Sequence, residues 1–381
     1  MSSLPQGFLG AGIAAGIKSS GSLDLALLVN KGPGFYGSAV FTSNKIVAAP
    51  VTWSRQVVAD HEVAAVLLNS GGANACTGPE GFLDTHKSAE KVAEVLGISS
   101  ADVVVCSTGL IGERLPMDKI LSGIEVAQAN LSTDGGVDCA TAIMTTDSHA
   151  KYFSKEFNGV KIFGMAKGAG MLAPSLATML SVIAIDAEVS SQAQVIFEDV
   201  VSKTFNRIDS DGCTSTNDTV LLMASGASGI ALTDEDLHDI LFECCDFLAK
   251  ALIADAEGHS KIVSIKTINA NSEIDAVAVG RACARNNLLK CALHGEDPNW
   301  GRVLAAIGTT SANFDPNRID VALNGVFVCK DSAPGEDRFK VDMKKKEIEI
   351  LIDLKSGNCA ATIWTNDLTA MYVHENSAYS S

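Results

Sequence analysis

The sequence predicts an α/β fold, and three observations lead there. Apolar runs of strand length recur at residues 23–29, 64–68, 103–106 and 179–185. Between them lie longer segments with apolar residues at helical spacing, 83–96 and 190–205. Several of the runs open directly into loops of glycine and small polar residues, as strands do when a ligand-contacting or crossover loop follows.

In chain order, residues 23–29 and 38–41 read as strands joined by the turn Lys31-Gly32-Pro33-Gly34. The strand at 64–68 ends in the small-residue loop 69–78, where backbone can approach a ligand closely. The helix at 83–96 is stopped by Gly97, which suits a helix C-cap. A strand at 103–106 opens into a second glycine-bearing loop, 107–112. Residues 140–151 contain the hydroxyl-rich Met144-Thr145-Thr146-Asp147, and 161–165 lead into the stretch 167–180. That stretch begins with Lys167-Gly168-Ala169-Gly170, is pinned by Pro174, and reaches Thr178 where a β-branched strand begins. A helix at 190–205 is followed by the polar loop 209–218 and a strand at 219–223. Thr233 N-caps a long helix reaching about Glu257, and Asp234, Glu235 and Asp236 occupy its first turn, where negative charge suits the helix dipole. Residues 260–330 read as strands alternating with one helix, and 347–354 and 361–364 alternate as sheet strands do. Hydrophilic breaks near 131–138 and 331–338 read as long loops.

Composition narrows the function classes. A content of 47% hydrophobic and 19% charged residues is that of an ordinary globular protein. A net charge of -16 argues against nucleic acid or anionic membrane as a partner. No apolar run approaches the ~18 residues that span a bilayer. The ten cysteines show no C-x-x-C spacing and read as buried free thiols in a reducing compartment. With no basic stretch or cleavage site near the N-terminus, a cytoplasmic location is expected.

Most familiar chemistries find no support. The lysine of the 167–170 stretch precedes its glycines, so this is no P-loop, and no G-x-G-x-x-G opens a helix. Asp209, Asp211 and Asp218 miss the EF-hand order and read as turn-forming acids. The seven histidines lack ligand spacing, so no metal site is expected. Without a G-x-S-x-G elbow, a nucleophile that needs no histidine fits best. Thr178 qualifies if the Ala177–Thr178 bond breaks, because its freed α-amino group, with a reference pKa of about 7.7–8.0, can serve as base to its own hydroxyl.

The motifs 69–78, 107–113, 167–180, 214–219, 296–308 and 372–381, in this order and over nearly the whole length, resemble the ornithine acetyltransferase (glutamate N-acetyltransferase) family. The resemblance implies a layered α-β-β-α fold shared with self-processing aminopeptidases. It implies self-cleavage at Ala177–Thr178 into chains 1–177 and 178–381, assembled as two copies of each. Thr178 would take the acetyl group of N2-acetylornithine and pass it to glutamate in a ping-pong cycle of arginine biosynthesis. Thr108 and Gly109 would form the oxyanion hole. Lys167, Glu257, Asn376, Ser381 and Thr145 or Thr146 would contact substrate. No cofactor is implied, although acetyl-CoA is a candidate second donor. Gly72 and Ala169 stand where asparagine and serine are common in the family, and Ser381 stands where threonine is, keeping a hydroxyl. The competing enzymatic reading is an N-terminal-nucleophile amidase or peptidase with water as acceptor. Outside enzymes, the alternative is an uncleaved amino-acid-binding protein.

Overall fold

In the computed structural model, residues 3–172 and 179–378 are described, and the chain divides into two units. The first takes in the described residues of Met1–Asn206 and Cys213–Leu252, and the second those of Arg207–Gly212 and Ile253–Ser380.

The first unit is built on two sheets. Strands β1 (Phe8–Ile13), β2 (Leu25–Asn30), β4 (Ala65–Gly72) and β5 (Val103–Leu110) form one, in the order β1-β2-β4-β5. Strands β3 (Tyr36–Phe41), β9 (Thr219–Ala224), β8 (Leu180–Ile185), β7 (Val160–Lys167) and β6 (Lys151–Phe157) form the other, in that order. Alternation along each strand explains the layering, because successive side chains point to opposite faces. In β2, Ala26 and Leu28 join an apolar core shared with Met165, Leu180 and Val182 of the other sheet. Leu25, Leu27 and Val29 point the opposite way, into a core with helices α2 (Gly78–Leu96) and α3 (Met117–Ala129). On the far side of the second sheet, Gly164 lies so close to α6 (Asp234–Ala254) that a Cβ there would meet Cys244 Sγ at 2.5 Å. The order is therefore helix, sheet, sheet, helix, the α-β-β-α arrangement that the resemblance implies. Two parallel pairs need crossovers: α2 joins β4 to β5, and α5 (Ala193–Lys203) joins β8 to β9. Short helices α1 (Ala49–Val57) and α4 (Gly136–Ala142) complete this unit.

The second unit is a six-stranded sheet in the order β13-β12-β11-β14-β10-β15. These strands are β10 (Ile262–Ala270), β11 (Asp320–Leu323), β12 (Val326–Lys330), β13 (Ala333–Pro334), β14 (Glu347–Asp353) and β15 (Cys359–Asn366). One face packs Ile265, Ile350 and Ile363 against helices α7 (Glu273–Ala284), α8 (Asn287–His294) and α9 (Trp300–Ile307). Helix α10 (Ala370–Ala378) follows β15.

The structure corrects several sequence expectations. Residues 107–110 are strand rather than loop, because β5 continues alongside an equally extended β4, with Ser70 opposite Thr108 and Gly71 opposite Gly109. Region 260–330 holds three helices instead of one: α8 and α9 have eight residues each, too short for a periodicity to show, and their signals are the caps Asn286 and Asn299. The 31–34 turn does join two strands, but β2 and β3 lie in different sheets. The long helix ends at Ala254, leaving Glu257 in a turn, and the break at 131–138 contains the start of α4. Cys76, Cys213 and Cys291 are exposed rather than buried, although all ten cysteines are free thiols.

Candidate active site

In the first unit, the sequence-predicted residues Thr108 and Lys167 meet. Both are buried, Thr108 near the end of β5 and Lys167 at the last position of β7, and Lys167 Nζ donates to Thr108 Oγ1 at 3.2 Å. A hydroxyl that accepts from an ammonium keeps its own proton free to donate elsewhere. Gly109 follows with φ +127°, and a Cβ there would stand 2.6 Å from the Gly71 carbonyl carbon, so only glycine fits beside β4.

Polar side chains hold this strand end in place. Ser107 Oγ donates to Asn69 Oδ1 at 2.6 Å, and Asn69 Nδ2 donates to the Gly72 carbonyl at 3.0 Å. Asn217 Nδ2 reaches both the Ala73 carbonyl at 2.5 Å and the Ser107 carbonyl at 2.8 Å. Three of the motifs that are far apart in sequence thus share one hydrogen-bond network, in which buried polar groups find partners and rigidify.

Asp147 is the second centre. Its Oδ1 accepts from Gly168 N at 2.7 Å and from Lys151 Nζ at 2.7 Å, and its Oδ2 from Thr145 N at 2.9 Å. Both side chains of the Lys151 pair are fully buried. Burial pushes the Asp147 carboxyl up, but the Lys167 and Lys151 charges outweigh it and hold the group at about 2. Lys167 itself lies below the usual lysine range because of its burial, with Asp147 opposing the shift. Lys18 Nζ, also lowered by burial, donates to the Met144 carbonyl at 2.7 Å. Just before β9, Asp218 Oδ1 accepts from Met179 N at 3.0 Å. Burial drives the Asp218 carboxyl well above its usual range. Asp218 is therefore buried and holds the residue before β8, while its hydrogen bonds from Ser215 keep the turn-forming part expected from sequence.

In the second unit, a cavity of about 350 Å³ is lined by Asp211, Glu257, Arg285, Lys290, Asp367 and Tyr372, among others. Glu257 is half-buried in the turn after α6. The next residue, Gly258 (φ +58°), abuts Tyr372 N of α10 so tightly that a Cβ would come within 2.3 Å. Arg285 Nε donates to Asp209 Oδ2 at 2.8 Å, and burial raises the Asp209 carboxyl to about 6 against that charge. Asn376 is exposed on α10, with Nδ2 donating to the Tyr372 carbonyl at 3.0 Å.

Comparison with known proteins places this geometry. The ArgJ family profile matches residues 10–381. The chain belongs to the ArgJ family. It is 58% identical over 377 residues to the arginine biosynthesis bifunctional protein ArgJ of Streptomyces coelicolor, covering 99% of this chain and 98% of that one. The ArgJ of Thermobifida fusca is 55% identical over 378 residues, covering 99% of each. Among solved structures, the ornithine acetyltransferase of Mycobacterium tuberculosis complexed with ornithine is 49% identical, covering 46% of this chain and 96% of that chain, with a TM-score of 0.41. This ArgJ-family chain is a transferase of arginine biosynthesis.

Of the residues that the ArgJ-family resemblance singles out, the structure brings Thr108, Gly109, Lys167 and the Thr145 loop into the first unit, and places Glu257 and Asn376 in the second. Thr145 is half-buried and Thr146 exposed. Ala177, Thr178 and Ser381 lie outside the described residues. Sequence reasoning missed Asp147, Lys151, Asn217 and the buried role of Asp218. The available signal was an acid beside the Thr145-Thr146 pair with a lysine four positions on. No helix joins Asp147 and Lys151, so that spacing alone carries no contact.

Proposed function

We propose that this ArgJ-family chain moves the acetyl group of N2-acetylornithine to glutamate through an acetyl ester on Thr178. The observation that carries the reading is the buried contact between Lys167 Nζ and Thr108 Oγ1, two residues of separate family motifs, in a chain matching the family from residue 10 to 381. In the proposed cycle the Thr178 hydroxyl adds to the acetyl carbonyl, the C–N bond breaks, and ornithine leaves with the proton from the hydroxyl. The glutamate amine then attacks the ester, releasing N-acetylglutamate and restoring Thr178. The Thr178 α-amino group would act as base, and the Thr108 hydroxyl and Gly109 N–H would donate to the tetrahedral oxyanion.

The same hydroxyl would first attack the Ala177 carbonyl, and hydrolysis of the resulting ester would give chains 1–177 and 178–381, assembled as two copies of each. Lys167 suits a substrate carboxylate by its charge. Thr145 or Thr146, Glu257, Asn376 and Ser381 are proposed substrate contacts on the resemblance. Ten free thiols suit a reducing cytoplasm. The proposed chemistry calls on no metal or cofactor, and acetyl-CoA is a further proposed donor, assayed directly with glutamate.

The test has two parts. Denaturing mass analysis of purified protein is expected to show two chains, and Thr178→Ala one. Incubated with N-acetylornithine, the wild type is expected to release ornithine and form N-acetylglutamate only when glutamate is present. Acetate release indifferent to glutamate would replace transfer with hydrolysis, and an intact, active wild type would remove the nucleophile.

A further inference from the structure

Asp147 is used by none of the roles above, yet its buried carboxylate accepts three hydrogen bonds, from Thr145 N, Gly168 N and Lys151 Nζ. It joins three pieces of chain that the proposed chemistry needs in register. The Thr145 amide fixes the hydroxyl loop, the Gly168 amide fixes the backbone next to Lys167, and the Lys151 ammonium ties both to the first residue of β6. Lys167, whose charge acts on this carboxylate, donates to Thr108 Oγ1. It can donate to that oxygen as an ammonium only while it holds its proton.

We propose, resting on the acyl-transfer reading, that Asp147 is a positioning residue for the reaction: by clamping the Gly168 and Thr145 amides and facing the Lys167 ammonium, it keeps Lys167 charged and aimed at the Thr108 hydroxyl, whose own proton is thereby left for the oxyanion. The charged groups acting on Lys167 are Asp147 and Lys151 from the 145–151 segment, Asp218 just before β9, and Lys18 from the loop after β1. The two acids favour the ammonium and the two lysines oppose it. Asp147 and Gly168 are 21 positions apart, and the pieces meet because β7 runs back beside β6 with Lys151 opposite Ala166.

Activity that needs protonated Lys167 is lost as pH rises through its pKa, giving an alkaline limb. Asp147→Asn removes the opposite charge that most favours the ammonium, so the limb moves to lower pH, by about one unit for a neighbouring buried charge. Lys151→Gln removes a like charge, so the limb moves up. A residue that only stabilised the fold would change the melting temperature and leave both limbs in place.

The experiment measures kcat and KM for acetyl transfer from N-acetylornithine to glutamate against pH in wild type, Asp147→Asn and Lys151→Gln, with melting curves and denaturing mass for each. The expected result is a kcat lower by about 10- to 100-fold in Asp147→Asn with KM within about twofold, as misplacement of a catalytic contact gives, and limbs displaced in opposite directions. If Asp147→Asn does not fold, Lys151→Gln decides alone: an upward limb supports the role and an unmoved one overturns it. Wild-type-like profiles in both variants overturn it too. A wild type that shows no glutamate-dependent transfer removes the acyl-transfer reading and this role with it, which separates that failure from the others.

Discussion

Single atoms decide most at Gly109. Its φ of +127° and the 2.6 Å that a Cβ would leave to Gly71 C combine a strained conformation with a backbone collision. Each costs about 1–3 kcal/mol. Gly109→Ala is therefore expected to lower stability by about 3 kcal/mol, read from denaturant unfolding, and to reduce acetyl transfer as the β4 and β5 ends separate. An alanine variant with wild-type stability would show that this strand end relaxes freely. The same scale explains why three of the buried acids were hard to read. Asp147, Asp209 and Asp218 look alike in sequence, but one is held at about 2 by two lysines, one is raised to about 6 by burial, and burial drives the third well above the usual carboxylate range.

At the scale of elements, local signals were reliable where the physics is local. Thr233 Oγ1 accepts from Asp236 N at 3.1 Å at the start of α6, as its cap position predicts, and Gly97 closes α2 with φ +69°. Thr233→Ala is expected to cost about 1 kcal/mol, seen as a melting temperature lower by about 2–4 °C with transfer kinetics unchanged. Altered kinetics would mean that α6 carries a role beyond support. Boundaries that depend on partners were less legible. Where β5 ends depends on how far β4 runs, and α8 and α9 are visible only through their Asn caps.

For the whole chain, the proposed cut falls between two strands that remain paired. β7 and β8 run antiparallel from Ile162 opposite Ile185 to Lys167 opposite Leu180. After cleavage, one chain would keep β7 and the other β8 and β9, all in one sheet and one shared core. The two chains are therefore expected to co-elute on size exclusion and to separate only in denaturant. Separation in dilute salt buffer would contradict the sheet order. The net charge of -16 needs no such pairing and bears instead on solubility and on the exclusion of polyanionic partners.

The sequence by itself determined the α/β class, the long capped helices, the absence of a P-loop or EF-hand, and, through its motifs, the family. Those features rest on periodicity, on caps within one helical turn, or on residue identity, all of which a linear string carries. Only the tertiary structure decided that β2 and β3 part into separate sheets, that Lys167 reaches Thr108 across 59 residues, and that Asp147 is buried among lysines. These depend on desolvation and on contacts between distant segments, and a carboxylate's solvent and partners are properties of the packed chain rather than of its neighbours in sequence.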